Sequence, residues 1–153
     1  MSTDTETTQE PQSVTYDITQ TISTVEIEPT DFLIDRKNLD SEWQKLPGKS
    51  FMYSEMAAKA RFLLEELKRR GDAMSARYDG EIRRNPAAFG LEKVTEKGVE
   101  GKVTERIQNV LQEINEAALQ HDLAQGACRA INDKRTALDN LTKLLSMNYY
   151  ASK

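Results

Sequence analysis

The chain has 153 residues, 30% of them charged, with a formal net charge of −4, one cysteine and one histidine. That length suits one domain. The lone cysteine excludes an intramolecular disulfide and any Cys-x-x-Cys pair for zinc or redox work. No apolar run approaches the roughly 18 residues of a membrane span and no charged-then-apolar leader opens the chain, so a cytoplasmic protein without membrane contact is expected.

Charge divides along the chain. Residues 1–46 hold ten acids and three bases, whereas 47–153 hold fifteen acids and eighteen bases, so an acidic tail of −7 precedes a body of +3. Residues 1–35 contain no Lys or Arg and are rich in Ser, Thr and Gln. Residues 1–30 are expected to be a flexible acidic tail. The alternation of Val14, Tyr16 and Ile18, and of Val25 and Ile27, is also compatible with a short strand.

From residue 31 a helical domain is expected. In DFLIDRKNLDSEWQKLPGKS, the residues Phe32, Leu33, Ile34, Leu39, Trp43 and Leu46 suit packing on a neighbour before Pro47-Gly48 breaks the chain. Trp43, the single tryptophan, reads as a packing anchor rather than a base-stacking residue. Ser50 or Ser54 caps a first long helix that runs to about Arg84. Met56, Ala60, Leu63, Leu67, Met74, Tyr78 and Ile82 give it one apolar face. Gly71-Asp72 interrupts that face, either kinking the helix or dividing it. Asn85-Pro86 ends it, because the residue before proline is pushed out of helical geometry. Phe89 and Leu91 in the connector are placed to tuck under the hairpin, and Thr95 is the cap of the next helix.

From Val103 a heptad runs through Ile107, Val110, Ile114, Ala117, His121, Ala124, Cys128, Ile131, Arg135, Leu138, Thr142 and Leu145, with ten of thirteen positions apolar. Spacings of four and three are what a packed helical seam needs. Gly98, Gly101 and Gly126 weaken this helix by roughly 1 kcal/mol each unless close packing demands them. The fold class is therefore mainly α: a long helical hairpin with a coiled-coil-like C-terminal helix. Two helices bury one face each, so assembly into a homo-oligomer is expected, with Ile107, Val110, Ile114, Ile131, Leu138 and Leu145 as the oligomerisation residues.

Catalysis finds no constellation here. His121 and Cys128 fall one heptad apart on the seam and read as structural, no second ligand accompanies the histidine, and no phosphate loop or nucleophile elbow is present. Glu65-Glu66 and Glu113 with Glu116 read as solvated faces. No enzyme, cofactor or metal is expected. Binding is the better-supported class. Lys59, Arg70, Arg77 and Arg84, spaced by eleven, seven and seven residues, fall on one side of the first helix beside its apolar face. On an unbroken helix they span roughly 37 Å, enough to track several phosphates. Arg61, Lys68 and Arg69 add charge on other sides, and Tyr53, Tyr78 and Tyr149-Tyr150 are candidates for stacking on bases. Glu66 within the stripe argues instead for ion pairing between helices.

The order FLIDRKNLDSEW, KLP, YSEMAAKARFLLEELKRR, AMSARYD and finally GACRAINDKRTALDNLTKLL, over residues 31–147, resembles the UvsY family of bacteriophage recombination mediator proteins. The resemblance implies a protein that binds single-stranded DNA, forms ring-like homo-oligomers and helps a strand-exchange recombinase displace the single-stranded DNA-binding protein. It also implies the host cell cytoplasm as location. The family's DNA-contacting stretch, A-(L)-K-A-R-L-D, matches Ala73, Met74, Ser75, Ala76, Arg77, Tyr78 and Asp79. Arg77 carries over, whereas Ser75 stands where the family has lysine, leaving Arg70 or Arg84 to compensate. DNA-binding residues are thus expected to be Lys59, Lys68, Arg69, Arg70, Arg77 and Arg84. The alternative is a structural coiled-coil assembly protein, such as a virion or scaffold component, whose arginines pair with neighbouring helices and bind no DNA.

Overall fold

The computed structural model describes residues 26–147; the alternating pattern at Val14, Tyr16, Ile18 and Val25 and the pair Tyr149-Tyr150 lie outside them. Two long helices make up most of the described residues: α1, Leu39–Arg84, and α2, Glu96–Ser146. Single 3-10 turns, Pro29–Phe32 and Pro86–Phe89, precede α1 and join the two. At 1.5 Å per residue the helices are about 69 and 77 Å long, so the hairpin is a rod two helices thick. The helical hairpin is as expected, and its bounds differ at one end.

That end is the start of α1, which begins at Leu39 and runs straight through Pro47-Gly48 rather than starting at Ser50 or Ser54. Proline in a helix interior forfeits a hydrogen bond and costs about 3 kcal/mol. The cost is met by packing on both sides of it. Leu46 is buried, and Leu39 and Trp43 pack on the same cluster, which includes Ile131 and Leu138 of α2. The Trp43 indole N–H also donates to the Thr142 hydroxyl at 3.2 Å. A break at Pro47 would have stripped this anchor from the hairpin. Ile27, within the stretch assigned to the tail, packs on the same cluster.

Nor does Gly71-Asp72 divide α1. Gly71 is buried in the seam, where an added Cβ would stand 3.1 Å from Ile114 Cδ1 and 3.6 Å from Val110 Cγ1. Glycine is there for close helix approach, and its cost to the helix is offset by that contact. The connector reads as expected: α1 stops at Arg84 before Pro86, Gly90 takes a left-handed φ of 72°, and Leu91 N–H closes the turn on Pro86 C=O at 3.0 Å. Thr95 caps α2 by accepting from Gly98 N–H at 3.2 Å. A side chain at Gly98 would collide with that hydroxyl at 2.9 Å, which accounts for one of the three α2 glycines.

The core is a string of three clusters along the seam. Tyr53, Ile131 and Leu138 fill the open end, Ile82, Val99, Val103 and Ile107 the loop end, and Leu64, Leu67 and Ala117 the middle. A polar clasp closes the open end. Lys134 Nζ pairs with Glu42 at 2.6 Å and donates to Asp31 C=O at 2.9 Å, while the Asp31 carboxylate accepts from Tyr53 Oη at 2.9 Å and pairs with Lys49 at 3.0 Å.

Of the six residues expected to join protomers, Ile107, Val110, Ile131 and Leu138 are buried against α1 of their own chain. Ile114 is half-buried in the middle cluster, and Leu145 is exposed at the open end. The heptad therefore closes the hairpin itself. Among the described residues, no helix is long and apolar enough to cross a membrane.

Candidate nucleic-acid interface

Because α1 is continuous, its register carries unbroken from Lys59 to Arg84, and all four stripe cations are exposed. The same line also carries acids at helical spacing, and these take the cations up. Lys59 pairs with Glu55 at 2.8 Å, Arg77 with Glu81 at 2.9 Å, and Arg70 reaches across to Glu113 of α2 at 3.4 Å. The Glu81 carboxylate, as hydrogen-bond acceptor and near charge, holds the Arg77 guanidinium above its ordinary pKa. Arg84 forms no ion pair among the described residues. Off the line, Lys68 meets Glu65 at 3.4 Å, and Arg69 takes up Glu66 of the stripe. The stripe is a ribbon of alternating charge; of its acids, Glu66 and Glu113 were singled out in the sequence, and Glu55 and Glu81 were not.

The tyrosines divide. Tyr53 is wholly buried, with its hydroxyl on Asp31, and so is removed from any stacking role; Tyr78 is half-buried in the loop-end cluster. Burial, followed by the Asp31 carboxylate, raises the Tyr53 phenol above its ordinary pKa. Ser75, at the position where the resemblance expects lysine, lines a groove between the helices with Asp79, Arg83, Glu96 and Glu100. A cation there would face carboxylates, whereas Arg77 two residues on stands clear of the groove.

Two arginines escaped the sequence reading. Arg83 forks onto both Glu96 oxygens, at 3.0 and 2.7 Å, and also meets Asp79 at 2.8 Å, tying the end of α1 to the start of α2. Arg106 lies over the Phe89 ring, 5.4 Å from its centroid. The signal for Arg106 was its place beside Val103 and Ile107 on the turn that faces the connector. It adds an exposed cation at the loop end, near enough to the Glu105 carboxylate to help lower its pKa after Lys102.

His121 is half-buried with Nδ1 3.3 Å from Asp122, and Cys128 packs at the edge of the open-end cluster. Among the described residues, no group of three or more His, Cys, Asp or Glu could hold a metal ion. An open groove between the helices is lined by Ser54, Ala57, Ala58, Arg61, Phe62, Glu65, Gln125 and Cys128.

No family model, curated protein or solved structure matches this chain. The interface rests on its own residues.

Proposed function

We propose that this protein is a non-enzymatic recombination mediator that binds single-stranded DNA along α1, self-associates, and helps load a strand-exchange recombinase in place of the single-stranded DNA-binding protein. The observation that supports it is the run of exposed cations Lys59, Arg70, Arg77 and Arg84 on one line of an unbroken helix. Their ion pairs do not forbid this. Exposed pairs are worth about 0–1 kcal/mol, so a phosphate can replace a carboxylate at small cost. One chain offers a weak site, and copies linked in an assembly would multiply it into a continuous path through avidity. Phosphate contacts read no sequence, as a mediator acting on any single strand requires.

Titration of labelled single-stranded and duplex DNA at several salt concentrations tests the proposal. Single-strand preference is expected, with log affinity falling against log salt at about −0.7 per phosphate, hence near −3 for four cations of one chain. Arg77→Ala lowers the affinity and makes that slope shallower by about 0.7. Unchanged affinity in this variant removes the assigned site.

The ion pairs themselves favour a second reading, a structural assembly protein whose charges serve only helix stability. That reading expects no DNA binding even at low salt.

A further inference from the structure

In the middle of the hairpin the wholly buried residues of α2 are small and its exposed apolar ones are large. Between Val110 and Ile131, the fully buried residues of α2 are Ala117, Ala124 and Ala127. Leu119 and Leu123 on the same stretch are 58% and 42% exposed. On α1, Phe62 is 60% and Phe51 71% exposed, while Leu64 and Leu67 face the seam. At 100° per residue Phe51 and Phe62 lie about 20° apart, and Leu119 and Leu123 about 40° apart, each pair turned away from its own seam. A helix that buries alanines and exposes leucines is half of a thicker packing.

We propose that these outer faces are the contact between successive copies of this chain, Phe62 of α1 in one copy seating on Leu119 and Leu123 of α2 in the next. Three observations select a second copy as the occupant. Phe62 and the two leucines lie at one level of the rod, because the seam sets Leu64 and Leu67 beside Ala117, and Ala57 beside Gln125 and Cys128. A sideways step of two helix widths, about 16–20 Å, therefore superposes one patch on the other and repeats the α1–α2 contact made within the chain. The shapes fit: Gly126 follows Leu123 by one turn, with open space where a side chain would stand, and leaves a hole for an aromatic knob. The charges fit as well. Arg61, beside Phe62, forms no ion pair among the described residues, and Asp122, beside Leu123, is exposed.

A stable contact needs about 800 Å² from each partner. Phe62 and the two leucines form its apolar centre, Phe51 lies about 16 Å further along the rod, and the length of the rods supplies the rim. The two faces differ, so the contact is head-to-tail and either closes into a ring or runs on as a filament. This deepens the self-association in the proposed function and rests on that part alone. Mass is measured without nucleic acid, so its outcome is separate from that of DNA binding.

Sedimentation equilibrium of the full chain is expected to give a particle larger than a dimer. Phe62→Asp and Leu123→Asp should each sediment as a monomer with unchanged helical circular dichroism, since both positions are on the outer faces. An equimolar mixture of the two should form a one-to-one dimer and stop, because each brings one intact face. Phe62→Ser and Leu119→Ser repeat the cross if an aspartate variant loses helicity. A monomeric wild type overturns the proposal, as does a single variant that assembles like wild type, or a mixture that stays monomeric.

Discussion

Asp31 shows how much one residue can organise. Its carboxylate takes Tyr53 and Lys49 and its carbonyl takes Lys134, so one residue from the approach to α1 ties both helices together. Tyr53→Phe leaves that carboxylate short of a donor and should lower unfolding free energy by about 1 kcal/mol in urea titrations. The pH dependence follows in sign. Burial and then Asp31 raise the Tyr53 phenol, and the Asp31 hydrogen bond chiefly raises Lys49, so both stay protonated in the fold to higher pH than in the unfolded chain. Their contribution is complete below about pH 10 and is lost as pH rises through the folded values. Thermal melts between neutral and strongly alkaline pH should therefore show a steeper loss in wild type than in Tyr53→Phe. At Gly71 the space is already taken by Ile114, so Gly71→Leu should destabilise by about 1–3 kcal/mol through overpacking, read as a lower melting temperature.

At the scale of elements, α1 carries the clearest conflict between local and tertiary preference. Pro47 is exposed and interior to the helix, held there by Leu39, Trp43 and Leu46 on the open-end cluster. Pro47→Ala removes a penalty of about 3 kcal/mol and restores some chain entropy to the unfolded state. A net gain of about 2 kcal/mol is expected in chemical denaturation. Leu138, wholly buried in the seam, is the converse: Leu138→Ala should cost about 2–5 kcal/mol and loosen the hairpin within the monomer. The two helices, the stop at Asn85-Pro86 and the Thr95 cap were legible in the sequence because each rests on neighbours within one turn. Pro47 was misread, and the division offered as one reading of Gly71 does not occur, because what overrides a breaker lies far along the chain, in Ile131 and Leu138 for one and Ile114 for the other. The heptad was legible as a seam, but spacing alone does not say that the facing helix belongs to the same chain.

For the whole molecule, the consequential property is that cations and acids share one ribbon. The stripe of Lys59, Arg70, Arg77 and Arg84 was legible from spacing; the pairing with Glu55, Glu113 and Glu81 was not fully so, since Glu113 meets Arg70 only once the hairpin closes. If the proposed DNA path holds, Glu81→Gln should free Arg77 and tighten single-strand binding severalfold at low salt, with the gain shrinking as salt rises. An unaltered isotherm speaks for the structural reading. The hairpin's antiparallel course also grades its assembly in time. Arg83 and Glu96 at the loop end are 13 residues apart, whereas Lys134 and Asp31 at the open end are 103 apart. Closing the longer span costs about 2 kcal/mol more in chain entropy. Folding should accordingly zip from the connector outward, with hydrogen exchange slowing last where Trp43 meets Thr142. The clasp around Asp31 is placed at the end that thermal motion would otherwise unzip first.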